Sequence, residues 1–82
     1  MRIVPDPKKR DSNLAKHGFD MDALDPEFFA SAAVFPAKAG RFMAVGEHDG
    51  VVVAVVFALL GTEAIAPISM RPASRKERKL WP

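Results

Sequence analysis

Arg71, Arg75, Lys76, Arg78 and Lys79 place five cations among nine residues, with Glu77 as the one anion in that stretch. At the reference side-chain pKa values the segment carries about +4 at neutral pH. Such a block suits recognition of a polyanion such as nucleic acid. An arginine fork grips two phosphate oxygens at once and keeps its charge at any ordinary pH. Arg71 is the first candidate. The chain there passes from a strand into a helix, and a helix N-terminus itself attracts phosphate. An ion pair to Glu47 or Glu63 is the structural alternative for Arg71. Arg75 and Arg78 are three apart and can share a helix face, either as contacts to a ligand or as a solvated surface. Arg41 opens a strand after a flexible loop and is a further cationic candidate. His17 and His48 are the only histidines, and imidazole is the natural proton carrier near neutral pH. His17 closes a helix, where capping and dipole complementarity would also explain it. Lys16 stands beside it, and Glu47 is the best-placed carboxylate for a base.

Other chemistries find little to work with. There is no cysteine, hence no disulfide and no thiol nucleophile. No His, Cys and Asp cluster has metal-ligand spacing, no glycine-rich phosphate loop is present, and Ser31, Ser69 and Ser74 lack triad partners. Neither a metal nor an organic cofactor is expected.

These residues need a scaffold, and 82 residues with 49% apolar and 27% charged content are expected to make one domain over 1–82. The net charge is only +2 but is unevenly distributed. Asp20, Asp22, Asp25 and Glu27 form an acidic block, and Lys8, Lys9, Arg10 and Lys16 form a second basic one. The longest apolar run, Val51 to Leu60, is too short to span a bilayer as a helix, so a soluble cytoplasmic protein is expected.

Along the chain, Arg2-Ile3-Val4 is a short strand or an extended lead-in. Asp6-Pro7 and Asp25-Pro26 are helix starts, with Asp as N-cap and Pro in the first turn. The first helix runs to about His17, with Gly18 ending it and Leu14 and Ala15 as its thin apolar face. The second covers about 26–30, anchored by Phe28 and Phe29. Strands follow at 32–35, 41–48, 51–59 and 63–70. Asp49-Gly50 predicts a type I′ hairpin turn. The Val-rich strand is apolar on both faces, which puts it in the middle of the sheet. Pro67 cannot donate to a ladder, so its strand is an edge there or carries a bulge. Ser74 and Glu77 form a capping box for a basic helix that Pro82 stops. The expected fold is α+β: two N-terminal helices, a four-stranded antiparallel β meander and a short C-terminal basic helix.

Asn13-Leu14-Ala15-Lys16-His17-Gly18, Arg41-Phe42 with Gly46, the Val-rich strand, and the run from Ile68 through Arg71-Pro72-Ala73-Ser74 to Arg78 together resemble the BrnT toxins of bacterial type II toxin–antitoxin systems. The resemblance covers nearly the whole chain. It implies a RelE-like fold and a ribonuclease that blocks translation. It also implies neutralisation by a cognate antitoxin of the BrnA kind, whose ribbon-helix-helix part binds operator DNA. Within that resemblance Arg71, Arg41, His17 and Glu47 are the catalytic candidates, and Lys16, Arg75 and Arg78 the RNA-binding ones. The chain departs from many members at Ala66-Pro67, where they carry an arginine, and at Phe57, where they carry Tyr or Trp. Those departures motivate an alternative, a non-catalytic module that binds an antitoxin and supports operon repression. RNA cleavage without a metal asks for little: the substrate's 2′-hydroxyl attacks, and the protein aligns the phosphate, stabilises its added charge and moves protons.

Overall fold

A computed structural model describes residues 1–81. Its centre is β4 (Val51–Leu60), flanked by β3 (Phe42–His48) and β5 (Ala64–Pro72). β4 is buried on both faces at Val53, Ala54 and Val55, as its unbroken apolar run requires. β3 and β4 are joined through Asp49 (φ 49°) and Gly50 (φ 81°). His48 faces Val51 across them, which is the two-residue turn expected. β2 (Ala33–Pro36) lies outside β3, and Pro36 is tolerated there because β2 is an edge strand.

The four-stranded antiparallel meander with two N-terminal helices is not the fold. A fifth strand, β1 (Arg2–Ile3), pairs parallel with β5, so the sheet is mixed, in the order β1-β5-β4-β3-β2. Arg2 N–H donates to Glu63 O and Val4 N–H to Ile65 O, each at 2.8 Å. A two-residue strand has no periodicity to read, and its partner is some 60 residues away in sequence. The helical part is α1 (Pro7–His17), α2 (Pro26–Ser31) and α3 (Arg75–Arg78), and only α1 exceeds two turns. β5 is therefore interior, and Pro67 is accommodated by a bulge. Val56 faces Ser69 and Phe57 faces Pro67, leaving Ile68 unpaired. Glu63 and Ile65 turn their carbonyls to β1. Alternation turns the Pro67 nitrogen to the same side, past the end of β1, where no ladder bond is lost.

One face of the sheet carries the main core. Met21, Leu24, Phe28 and Phe29 pack on Ala44, Val53, Val55, Phe57, Ile65 and Met70. Phe29 meets Phe28 and Phe57 edge-on, each at 5.2 Å between centroids. Gly46 allows this approach, since a Cβ there would sit 3.1 Å from Cε1 of Phe28 and 3.2 Å from Cβ of Ala32. On the opposite face Arg71, Ala54, Val45 and Ala33 form one row across β5, β4, β3 and β2. The C-terminal segment is tied to both ends of this row. Glu77 binds Arg71, and the indole N–H of Trp81 donates to Ser31 O at 3.3 Å. Pro82, expected to stop α3, lies outside the described residues.

α1 is held differently. Leu14 and Ala15, its expected anchors, are exposed, and its buried residue is Asn13. The Asn13 amide accepts from Met70 N–H at 2.9 Å and donates to Met70 O and Phe19 O, each at 3.0 Å. It takes the place of a strand where β1 has ended, satisfying both backbone groups of Met70.

Candidate functional site

The cationic candidates gather around the C-terminal half of β5. α3 begins with a complete capping box: Glu77 N–H donates to Ser74 Oγ at 3.1 Å, and Ser74 N–H donates to Glu77 Oε1 at 2.8 Å. The chain leaves β5 after Pro72 and reverses at Ala73 and Ser74, which folds the start of α3 back onto β5, so the same carboxylate also meets Arg71. Nη1 of Arg71 donates to Oε1 at 2.7 Å and Nη2 donates to Oε2 at 2.8 Å. The partner of Arg71 is thus Glu77, not Glu47 or Glu63. The Arg71 guanidinium holds the Glu77 carboxyl down at about 2, against the opposition of burial and with help from the Ser74 N–H. The carboxylate in turn raises Arg71. Both groups are therefore charged at any physiological pH. Arg75 and Arg78 are exposed beside this pair, without an acidic partner among the described residues.

Lys16 and His17, in the last turn of α1, line a cleft of about 400 Å³ with Lys8, Lys9, Ile68 and Ser69. Ser69 is two residues before Arg71 on the same face of β5, so their Cα atoms stand about 7 Å apart along the strand. Arg41 immediately precedes Phe42, whose ring stacks on Phe57 in the main core at 5.7 Å. Alternation therefore places Arg41 on the face of Arg71. Two strands and four residues separate them, roughly 16 Å between Cα atoms. Glu47 also lies on that face, two strands and two residues from Arg71, or about 12 Å. It lines a second cleft with Asp25, Glu27, His48 and Asp49, whose negative charge repels phosphate.

Lys16 and His17 thus stand in a cleft over Ile68 and Ser69, Arg71, Arg75 and Arg78 follow at the end of β5 and on α3, Arg41 lies further along the same sheet face, and Glu47 is apart in acidic surroundings. Glu77 is the site residue that sequence reasoning reads only as a helix cap. Its spacing to Ser74 shows the cap; its grip on Arg71 appears only when the chain reverses at Ala73 and Ser74. Asn13 enters the sequence reading only within a motif, although it joins the cleft to β5. Among the described residues no three His, Cys, Asp or Glu side chains are grouped as metal ligands.

A small mixed sheet that carries a braced arginine, with a lysine-rich cleft beside Ser69 on the same strand, has the charge to hold a polyanion. The family model described as the BrnT ribonuclease toxin of type II toxin–antitoxin systems matches residues 6–77. The 1.1 Å crystal structure of the Brucella abortus ribonuclease toxin BrnT superposes with a TM-score of 0.85 at 53% identity, covering 92% of this chain and 99% of that one. No curated protein sequence matches. The chain belongs to the BrnT family of ribonuclease toxins. Membership of a type II system implies an antitoxin partner.

Proposed function

We propose that this chain is a metal-independent endoribonuclease that inhibits translation by cleaving RNA in the cytoplasm and is neutralised by a cognate antitoxin. The observation that carries the reading is the Arg71 guanidinium, braced at a strand-to-helix junction and flanked by the exposed cations of α3 and the Lys16 and His17 cleft. In this reading the 2′-hydroxyl of the substrate attacks the adjacent phosphorus and the bond to the 5′-oxygen breaks. Arg71, with Arg41 along the same face, stabilises the added negative charge. Lys16, Arg75 and Arg78 hold the flanking phosphates. His17, in the cleft with Ser69, moves the protons. Glu47 is the second candidate base and serves only a substrate that crosses the C-terminal segment to reach it. The antitoxin of this proposal is BrnA-like, and its ribbon-helix-helix part would bring operator DNA to the complex.

Inducible expression in bacteria tests the proposal, with growth scored and RNA 5′ ends mapped. Growth arrest with new ends is expected for the parent chain. Arg71→Ala should lower cleavage by about 10²-fold or more, the cost of losing one donor to the developing oxyanion. A soluble, folded parent chain that yields no new ends would remove the nuclease reading and leave a module that binds antitoxin without cutting RNA. His17→Ala and Glu47→Ala, measured beside it, decide which group carries the proton.

A further inference from the structure

We propose that Glu77 is a positioning residue for the reaction: it mounts the Arg71 guanidinium so that the edge formed by Nε and Nη2 faces a phosphate. The proposal rests on the nuclease reading above. A guanidinium has five N–H donors. The end of the Arg71 fork is taken by Glu77, through Nη1 to Oε1 at 2.7 Å and Nη2 to Oε2 at 2.8 Å. Nη1 also donates to Pro72 O at 3.3 Å. What remains is the Nε hydrogen and the second hydrogen of Nη2. These two are parallel and lie along one edge of the planar group, and such a pair matches two oxygens of one phosphate. No acceptor for Nε is found among the described residues, and the Arg71 side chain is 36% exposed.

The mount is itself braced. Oε1 of Glu77 accepts from Ser74 N–H at 2.8 Å, a backbone donor that a side-chain substitution at Ser74 leaves in place. The Glu77 side chain is only 16% exposed. The backbone of the cap therefore fixes the carboxylate, the carboxylate fixes the guanidinium, and the strand fixes the Cα of Arg71. A long, flexible side chain becomes a rigid donor pair. Misplacing a charge-stabilising group by about 1 Å can cost about 10²-fold in rate.

The test is cleavage of an RNA substrate by the purified chain, with kcat and KM resolved, for the parent, Glu77→Ala, Glu77→Gln and Ser74→Ala. Thermal melts accompany each variant. Glu77→Ala should lose about 10²-fold in kcat with KM changed far less. Glu77→Gln keeps one acceptor oxygen for the fork and should recover part of that loss. Ser74→Ala removes the cap hydroxyl but keeps the N–H that holds Glu77, and its kcat should stay within about threefold of the parent. A second readout does not need turnover. The ¹⁵N–¹H signal of Arg71 Nε should shift when a fully 2′-O-methylated RNA, which cannot be cleaved, is added to the parent chain, and should be broad and unresponsive in Glu77→Ala. A folded Glu77→Ala variant with the parent kcat overturns the proposal, as does a Ser74→Ala variant that falls equally far, since capping alone would then explain both. If the parent neither cuts RNA nor shows the Nε shift, the nuclease reading fails and takes this one with it. A parent that cuts, with Glu77→Ala its equal, fails this proposal alone.

Discussion

Met70 and Arg71 are neighbours in β5, and each holds a helix by a polar tie of opposite character. At Met70 the tie is neutral and buried. The amide of Asn13, 5% exposed, completes the hydrogen bonds of one backbone unit and fastens α1 to the sheet edge. At Arg71 the tie is charged and partly wet, and it fastens α3 over the opposite face. Water can replace the second tie at small cost, because exposed ion pairs contribute little to stability. It cannot easily replace the first, because a buried N–H or C=O left without a partner forfeits its solvation. The difference separates two tasks: Asn13 supplies stability, and the Arg71–Glu77 pair supplies the direction of a charge.

Asn13→Ala is the sharpest way to break the contrast. It leaves the Met70 N–H and C=O unpaired in the interior. At 1–3 kcal/mol for each such group the expected loss is about 3 kcal/mol, read from urea denaturation midpoints with the slope unchanged. A loss below about 1 kcal/mol would mean that water reaches Met70 and that the two ties are alike. Asn13→Asp sharpens the point. A carboxylate still accepts from Met70 N–H through one oxygen but turns the other, now an acceptor in place of the amide donor, toward the carbonyls of Met70 and Phe19. Its stability should rise on mild acidification, as protonation restores a donor and the folded state binds the extra proton.

The Arg71–Glu77 tie should respond to pH in the opposite sense, and less. The Glu77 carboxyl sits at about 2 in the folded chain, against 4.5 for the free group. The folded pKa is depressed, so this contribution is complete above about pH 4.5 and is lost as the pH falls through about 2. Other carboxylates titrate over the same range, so the measurement is the difference between the parent and Glu77→Gln in denaturant melts from pH 6 to pH 2. The parent should hold an advantage on the order of 1 kcal/mol at pH 6, since the Arg71 end of the pair is solvent-screened. That advantage should shrink in 1 M salt and vanish at pH 2. A pair that kept its full advantage in high salt would behave like the Asn13 tie.

What is legible in the sequence follows the reach of each interaction. Asp6-Pro7, Asp25-Pro26, Asp49-Gly50 and the Ser74 and Glu77 pair each close their hydrogen bonds within four residues, and each forms as expected. Pro67 narrows its strand to two options, of which the bulge occurs. β1 is ambiguous in sequence because two residues carry no alternation and the partner strand lies some 60 residues on. That one pairing turns an antiparallel sheet into a mixed one. Asn13 escapes notice as an anchor because apolar periodicity treats polar positions as surface, while its partner Met70 is 57 residues away. Around the basic region, the types and spacing of Arg71, Arg75 and Arg78 are visible, as are Lys16 and His17 side by side. Their placement depends on the bulge, which sets Ser69 and Arg71 on one face, and on the reversal at Ala73 and Ser74, which brings Glu77 to Arg71, and no local pattern encodes either.

The smallest expected effect bears on the same helix. Leu14 adjoins Asn13 in α1 and is the apolar residue expected to anchor it, yet it is 46% exposed. Successive helical residues point about 100° apart, so a helix that turns Asn13 into β5 must turn Leu14 away from it. Leu14→Ala should therefore change stability by no more than about 0.5 kcal/mol, as for an ordinary surface substitution. Ala is also the better helix former, which offsets part of the smaller apolar burial. A loss near 2 kcal/mol would place Leu14 in the core and rotate Asn13 out of reach of Met70. The same rotation would lift Lys16 and His17 away from Ser69 and dissolve the cleft beside Arg71. A single apolar truncation on the solvent side of α1 thus checks the helix orientation on which both the stability argument and the proposed RNA path depend.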